Sequence, residues 1–314
     1  MVNESAALRG RILARLRASP EPVSGNELSG ELGVSRVAVW KHLEALREAG
    51  YGLEAGRSGY RLAADGDFLH PWEFPGREAR VVRYERTDST MDRALELALR
   101  SPSCRAIVVA EAQSAGRGRR GRRWASPRGG LFATLVAEPA TAPWRAERAA
   151  MAGGVALCLA LRELTGEPFS LEWPNDVYLA GRKAGGLLVE YLAEGESLRL
   201  LDLGLGVNVA NRAPGGNAFS LSELPSPAPT RRALLSAFLD RYETLDLEWP
   251  GLAEAWTGLS SSPGRIAVSR DEDRRLGRVL RVDDEGRLVV ELTGGGTKSF
   301  RPSEARIESK EQAS

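Results

Sequence analysis

Residues 116–124 read Gly-Arg-Gly-Arg-Arg-Gly-Arg-Arg-Trp, five arginines and three glycines closed by an aromatic. Like charges at this density repel and glycine costs backbone entropy, so stability alone does not favour such a segment. It fits a loop that closes over an anion. Guanidinium forks grip phosphate or carboxylate, glycines admit the backbone, and Trp124 offers a face for stacking. Strand-like runs flank it at Ala106-Ile-Val-Val-Ala110 and Leu131-Phe-Ala-Thr-Leu-Val136, which argues against a disordered arginine–glycine tail that binds nucleic acid. Gly116, Gly118 and Gly121 also spell G-x-G-x-x-G, but that fingerprint opens a helix, and Ser126-Pro-Arg-Gly-Gly130 follows here. The dinucleotide reading is rejected.

A length of 314 residues gives room for two or three domains. The net charge is +1, from 43 basic and 42 acidic residues, so any nucleic-acid contact rests on a local patch. Two cysteines (Cys104, Cys158) and two histidines (His42, His70) exclude a metal cluster or a disulfide framework. No stretch has the length and apolar purity of a signal peptide or a membrane span, and a cytoplasmic protein is expected.

The apolar spacing divides the chain into an expected α+β arrangement. Residues 1–64 carry three helical stretches: Ala6–Ala18, one starting at Ser24 and stopping at Gly33, and one capped by Ser35 and running to Gly50. A hairpin follows at Tyr51–Leu62. The second and third helices, joined by a glycine-bearing turn, form a helix-turn-helix pattern, with the hairpin as a wing. In such a unit Ser35, Arg36 and Lys41 face a DNA major groove, and Arg57 and Arg61 reach phosphates. A packing module that touches no DNA is the competing reading. Residues 65–77 read as a linker. Between 78 and 260 strand-like and helix-like segments alternate irregularly, and 261–314 switch to short alternating strands, the pattern of a small β-barrel.

About fifty residues past the arginine loop stands Glu172-Trp-Pro-Asn-Asp-Val-Tyr-Leu-Ala-Gly-Arg-Lys183. A hairpin here brings Asn175, Asp176 and Lys183 toward a common place. Ordinary turn chemistry and an edge lysine account for the residue types singly. They do not explain why a chain with only four lysines writes one here. A compact ammonium against a carboxylate or phosphoryl oxygen does.

Five motifs in this order closely resemble the biotin–protein ligases, specifically the bifunctional kind that doubles as a biotin-operon repressor. They are Ser89-Thr90, Gly116–Gly121 with Trp124, Trp173-Pro-Asn-Asp176, Arg182-Lys-Ala-Gly-Gly-Leu187 and Gly204-Leu-Gly-Val-Asn208. Ser35-Arg-Val-Ala-Val-Trp-Lys-His-Leu43 with Gly59-Tyr-Arg-Leu62 is similar to the winged helix-turn-helix of the regulatory members. The resemblance implies an N-terminal winged helix-turn-helix, a central mixed-sheet ligase domain of the biotin/lipoate ligase type and a C-terminal SH3-like barrel.

It also implies a two-step adenylation. The biotin carboxylate attacks the α-phosphorus of ATP, pyrophosphate leaves, and a lysine of a biotin carboxyl carrier domain then displaces AMP. By this resemblance Ser89, Thr90, Met91 and Gln113 line the biotin end, and Gly116-Arg117-Gly118-Arg119 closes over the intermediate. Arg120 and Arg122 face the triphosphate and Trp124 the adenine. Lys183 bridges carboxylate and α-phosphate, with Arg119 as the second catalytic residue. Asn175, Asp176 and Asn208 orient the nucleotide, and Asp176 meets Mg²⁺. A ligand-promoted homodimer on operator DNA is implied, with Asn211–Asn217 as the adenylate-ordered loop.

Three places depart from the pattern: Glu172 stands where the family usually has lysine, Met91 where asparagine is common, and Arg301-Pro-Ser-Glu-Ala-Arg306 replaces the usual Ser-Gly-Glu-Val run. A lipoate or octanoate ligase, and a regulator that only senses an adenylate, are the alternatives.

Overall fold

The computed structural model describes residues 4–101, 103–137, 144–194, 197–272 and 274–308. They fall into two compact units, Met1–Arg83 and Tyr84–Ser314.

The first unit contains α1 (Glu4–Arg17), α2 (Gly25–Leu32), α3 (Arg36–Glu48) and a hairpin of β1 (Gly52–Gly56) and β2 (Gly59–Ala64). Local chemistry sets the helix ends. Ser24 accepts from the Glu27 N–H while the Glu27 carboxylate accepts from the Ser24 N–H, a reciprocal cap. Gly33, at φ 68°, ends α2 in the left-handed conformation that glycine adopts without strain, and Ser35 caps α3. Ile12, Leu13, Leu28, Leu43 and Leu46 are fully buried between the helices, each contributing about 1.5–3 kcal/mol by leaving water.

Residues 65–77 are more structured than their linker-like composition implies. Phe74 is buried, and the Glu73 carboxylate accepts from Arg17 at 2.8 and 2.9 Å and from the Tyr51 hydroxyl. Phe68 packs on Tyr51 with ring centroids 4.8 Å apart. A Cβ on Gly10 would stand 2.6 Å from the Trp72 carbonyl oxygen, so glycine is needed there. Aromatic anchors set among Pro, Gly and Asp hold the segment down.

Strand β3 (Val81–Tyr84) ends at the start of the second unit, where the Tyr84 carbonyl accepts from the Glu111 N–H at 3.1 Å. Then follow α4 (Thr90–Arg100), β4 (Ile107–Ala110), β5 (Leu131–Ala137), α5 (Trp144–Thr165), β6 (Ser170–Glu172), β7 (Asp176–Leu179), β8 (Arg182–Glu194) and β9 (Ser197–Val207). The central strands lie in the order β4-β5-β9-β8-β7-β6, each pairing antiparallel. Isolated parallel bridges at Thr87–Gln113 and Lys183–Ala218 flank these antiparallel pairs.

Pleating gives β9 two faces. Leu203 meets α5 at Gly153, while Gly204 and Gly206 turn to the other face, against Met91 and Trp124. That second face is the floor of the site. Helices α6 (Arg231–Tyr242) and α7 (Leu252–Leu259) pack against α5. The chain ends in β10 (Ile266–Ser269), β11 (Arg275–Val282), β12 (Leu288–Leu292), β13 (Thr297–Phe300) and β14 (Ala305–Ile307). These form an antiparallel sheet of order β13-β12-β11-β10-β14. No helix among the described residues is long and apolar enough to cross a membrane.

Candidate active site

A cavity of about 600 Å³ opens over Gly204 and Gly206. The start of α4, the arginine loop, the turn before β7, β8 and the C-terminal sheet enclose it. Ser89, Thr90, Met91, Gln113, Arg117, Gly118, Arg119, Arg120, Arg122, Trp124, Asn175, Asp176, Lys183 and Asn208 all line it. Residues more than a hundred positions apart in the sequence meet here. Gly116 lies just behind the wall. A Cβ there would stand 2.4 Å from Ser126 Oγ and 2.6 Å from the Trp124 carbonyl oxygen.

Hydrogen bonds fix the α4 end of the cavity. Ser89 caps α4 by accepting from the Met91 N–H, which leaves its own hydroxyl proton to donate. Gln113 Oε1 accepts from the Thr90 N–H at 2.7 Å and from Thr90 Oγ1 at 3.0 Å. Gln113 Nε2 in turn donates to Ser126 Oγ at 2.8 Å, and Thr134 donates to Thr90 at 2.8 Å. These bonds hold the amide in one orientation and leave one amide proton for a ligand. Met91 is buried, its sulfur against Gly204, and fills the floor where the family places a polar side chain.

The arginines of the loop divide into two kinds. Arg117 is clamped between Glu190 on β8, at 2.8 and 2.9 Å, and Asp92 on α4, at 2.7 Å, which raises its pKa. Neither carboxylate was anticipated from the sequence. Arg119, Arg120 and Arg122 make no hydrogen bond or ion pair through their side chains among the described residues. Burial pushes the Arg119 pKa down, which an arriving anion would reverse. Beneath Glu190 on the cavity face of β9 lies Asp202, 3% exposed, with one oxygen unpaired. Burial, and secondarily Glu190, pushes its pKa up to about 7.

Lys183 enters from β8. Its ammonium lies 2.7 Å from Asp176 and 5.3 Å from the centre of the Trp124 ring. Trp124 rests on Gly206, where a Cβ would stand 2.8 Å from the indole. A strand glycine with an aromatic on its face was the signal for this floor. Asn175 and Asn208 line the cavity but spend their amides on the backbone. Asn175 Nδ2 donates to the Leu187 carbonyl, and Asn208 Nδ2 donates to the Phe219 carbonyl at 3.2 Å. Asn211 Nδ2 donates to Asn208 Oδ1 at 2.9 Å. The Lys183 N–H donates to the Asn217 carbonyl and the Phe219 N–H to the Lys183 carbonyl, at 2.8 and 2.7 Å, so the 211–219 segment is stitched to the lysine's own strand.

Glu172 is neutralised by Arg265, which ties β6 to the C-terminal sheet. That pair explains how the chain tolerates an acid where the family has lysine. Arg270 and Arg306 of the C-terminal sheet also reach the cavity and were not anticipated. The described residues hold no cluster of three metal-ligating side chains. Asp176 is a single carboxylate, suited to a Mg²⁺ carried mainly by phosphate oxygens.

In the first unit, Arg36 and Lys41 are exposed on α3, together with Val37 and Trp40 at 62% and 52% exposure. Ser35 uses its hydroxyl oxygen as a helix cap. Arg57 is exposed on the hairpin turn, and Arg61 pairs with Glu54 across the strands at 2.6 Å.

Residues 84–208 match the biotin/lipoate A/B protein ligase family, and residues 9–61 match an HTH domain. The chain is 32% identical to the bifunctional ligase/repressor BirA of Bacillus subtilis (strain 168) over 305 residues, 90% of this chain and 94% of that protein. To the same-named protein of Escherichia coli (strain K12) it is 30% identical over 316 residues, 93% and 97% of the two chains. The biotin protein ligase of Aquifex aeolicus, solved in complex with biotin and ATP, has the same fold. Its TM-score is 0.61 at 24% identity, over 74% of this chain and 99% of that one. With both its N-terminal and its central domain matched, the chain belongs to the biotin–protein ligases, in their bifunctional ligase/repressor branch.

Proposed function

We propose that the cavity performs both half-reactions of biotin transfer with the residue roles that follow. The observation that carries this reading is the convergence of Lys183, Asp176, Trp124 and Arg119 with the Thr90–Gln113 pair in one 600 Å³ space. Ser89, Thr90 and Gln113 hold the ureido end of biotin, on a floor made by Met91 and Gly204. The main chain of Gly116–Gly118 lies along it, held by the Arg117 clamp.

Lys183 leaves Asp176 for the incoming carboxylate and the α-phosphate. An oxygen of the carboxylate bonds to the α-phosphorus as the bond to the β-phosphate oxygen breaks, and pyrophosphate departs. Negative charge grows on the phosphate oxygens at this step, where Lys183 and Arg119 stand. Asp176 would hold Mg²⁺ together with the phosphates, and the ion would supply charge neutralisation. Arg120 and Arg122 meet the phosphates, Trp124 the adenine, and Asn175 and Asn208 set the walls.

In the second step the neutral ε-amine of a carrier-domain lysine attacks the acyl carbon. The bond to AMP breaks, an amide forms and one proton leaves. Arg119 keeps the adenylate from escaping until then.

We further assign α3 and the hairpin to an operator, with Arg36, Lys41, Arg57 and Arg61 as its contacts and Ser35 orienting the helix. An adenylate-promoted homodimer and a cytoplasmic location, where ATP and carrier domain are found, complete the reading. The Asn208–Asn211 and Lys183–Asn217 bonds support the 211–217 loop as the element that responds to adenylate.

The test is pyrophosphate release from ATP with biotin or lipoate supplied, then mass spectrometry of a carrier domain. Release that needs biotin, with a biotin-sized gain on the acceptor lysine, is expected. Release only with lipoate, or none, would overturn the assignment. Sedimentation and operator binding with and without biotinyl-5′-adenylate test the dimer, and equal behaviour in both conditions rejects it.

A further inference from the structure

Helix α3 buries one stripe and bares another. Val39, Leu43 and Leu46 are buried against the other helices of the first unit. Val37 and Trp40 stand on a different stripe, 62% and 52% exposed, and no other large hydrophobic side chain described in that unit is exposed. Trp40 makes no hydrogen bond or ring contact among the described residues. Apolar groups stabilise a fold by leaving water, so these two contribute little to it as they stand. Positions 37, 40, 41 and 44 recur at helical spacing, which puts Val37, Trp40, Lys41 and Glu44 on one face. Along the helix axis Val37 and Trp40 are about 4.5 Å apart. That is between one and two base steps of about 3.4 Å.

The charge around the pair says what kind of partner covers it. Arg36 and Lys41 border it, both exposed and without an ion pair among the described residues. Glu44, the acid one turn on, is paired with Arg47. The pair also lies near the N-terminal end of α3, where the free N–H groups add positive potential. A surface that is apolar at its centre and positive at its rim suits a polyanion with apolar groups between its charges. The major groove of DNA is such a surface, since phosphates line its edges and the C5-methyl of thymine projects from its floor.

Resting on the operator assignment above, we infer that Val37 and Trp40 determine sequence specificity by packing on thymine methyl groups in the major groove. Arg36 and Lys41 hold the helix to the phosphates beside them, contacts that carry no sequence information of their own. The methyl group distinguishes thymine from cytosine and marks which strand carries it, so two apolar side chains suffice to set a register.

The test uses the full chain with biotinyl-5′-adenylate and the duplex that it enriches most from a random-sequence pool. Each thymine of that duplex is replaced in turn by deoxyuridine, which pairs identically and lacks only the methyl. At one position or more the parent should lose affinity about fourfold, the value of one buried methyl group. Val37→Ala and Trp40→Ala should bind the thymine duplex less tightly and be indifferent to deoxyuridine at the position each one touches. Val37→Thr, which keeps a methyl on a branched side chain, should keep the discrimination. The salt slope should match the parent in all three, because no charge is removed, and biotin transfer should be unchanged.

Parent binding that ignores every deoxyuridine would overturn the inference. So would variants that lose affinity equally on thymine and deoxyuridine duplexes, the mark of a role in folding. Sedimentation of the parent and Trp40→Ala without DNA checks the other occupant: a dimer lost in the variant would mean that a second copy covers the pair, and would overturn the inference too. A parent that enriches no duplex at all would reject the operator assignment itself, and the inference with it.

Discussion

The Lys183 ammonium lies 2.7 Å from the Asp176 carboxylate, across the turn that joins β7 to β8. The pair keeps the cation in the cavity yet lets it go. Both side chains are partly exposed, at 30% and 24%, so the pair itself contributes little stability. Lys183→Ala is therefore expected to lower the rate of pyrophosphate release by about two to three orders of magnitude, the usual effect of removing a donor at developing charge. The melting temperature should change little. A variant that keeps most of its adenylation rate would remove Lys183 from the chemistry.

Gly116 carries a different expectation. A methyl group there meets Ser126 Oγ at 2.4 Å and the Trp124 carbonyl at 2.6 Å, and crowds Gln113 Nε2 at 3.0 Å. Gly116→Ala should cost about 1–3 kcal/mol of stability through overpacking. Because the displaced Gln113 loses its grip on Thr90, biotin binding should weaken too. Thermal melting and a biotin titration check this, and unaltered values in both would mean that the Gln113–Ser126 pair yields freely.

Asp202 makes stability depend on pH. Its pKa is raised from the usual 3.8 to about 7, so the folded state holds a proton that the unfolded chain releases. Stability is then greatest below the unfolded value and falls as pH rises through the folded one, levelling off above it. Asp202→Asn removes the dependence. At pH 8 the variant should be more stable than the parent by on the order of 3 kcal/mol, with the gap closing toward pH 4. Urea unfolding at the two pH values measures it, and a constant gap would contradict the assignment.

The operator contacts should separate from the ligase. Arg36→Ala and Lys41→Ala are expected to weaken operator binding and to flatten its salt dependence by about one unit of slope for each phosphate that is no longer neutralised. Biotin transfer should be untouched. Identical salt slopes in parent and variants would take these side chains off the DNA.

What can be read from the sequence is what local chemistry decides. Ser24 with Glu27, Ser35 and Gly33 mark the helix ends of the first unit, because caps need particular side chains at particular positions. The turn between β7 and β8 is equally plain, and with it the meeting of Asp176 and Lys183. Long-range packing is not legible. Phe68, Trp72 and Phe74 anchor a segment that looks like a linker, and α7 escapes the apolar spacing although Trp256 is buried on α5. The spacing suggests separate strands over 198–202 and 204–209, yet β9 runs unbroken through Gly204, which lies against Met91. Arg270 and Arg306 stand among many arginines, and only the antiparallel pairing of β10 with β14 brings them together. The amides of Asn175 and Asn208 look free in a motif. The fold claims them for the Leu187 and Phe219 carbonyls.

The clamp on Arg117 has a consequence for how the loop behaves as a mechanical part. One arginine is moored at both ends by acids that the protein supplies, while those that follow it in the loop await acids that it does not. The loop is thus an arm bolted at the shoulder with an open hand, and the substrate's own charge closes the grip. On the roles proposed above, release of pyrophosphate loosens the fingers while the shoulder holds. An enzyme built this way can let one product go without dropping the other.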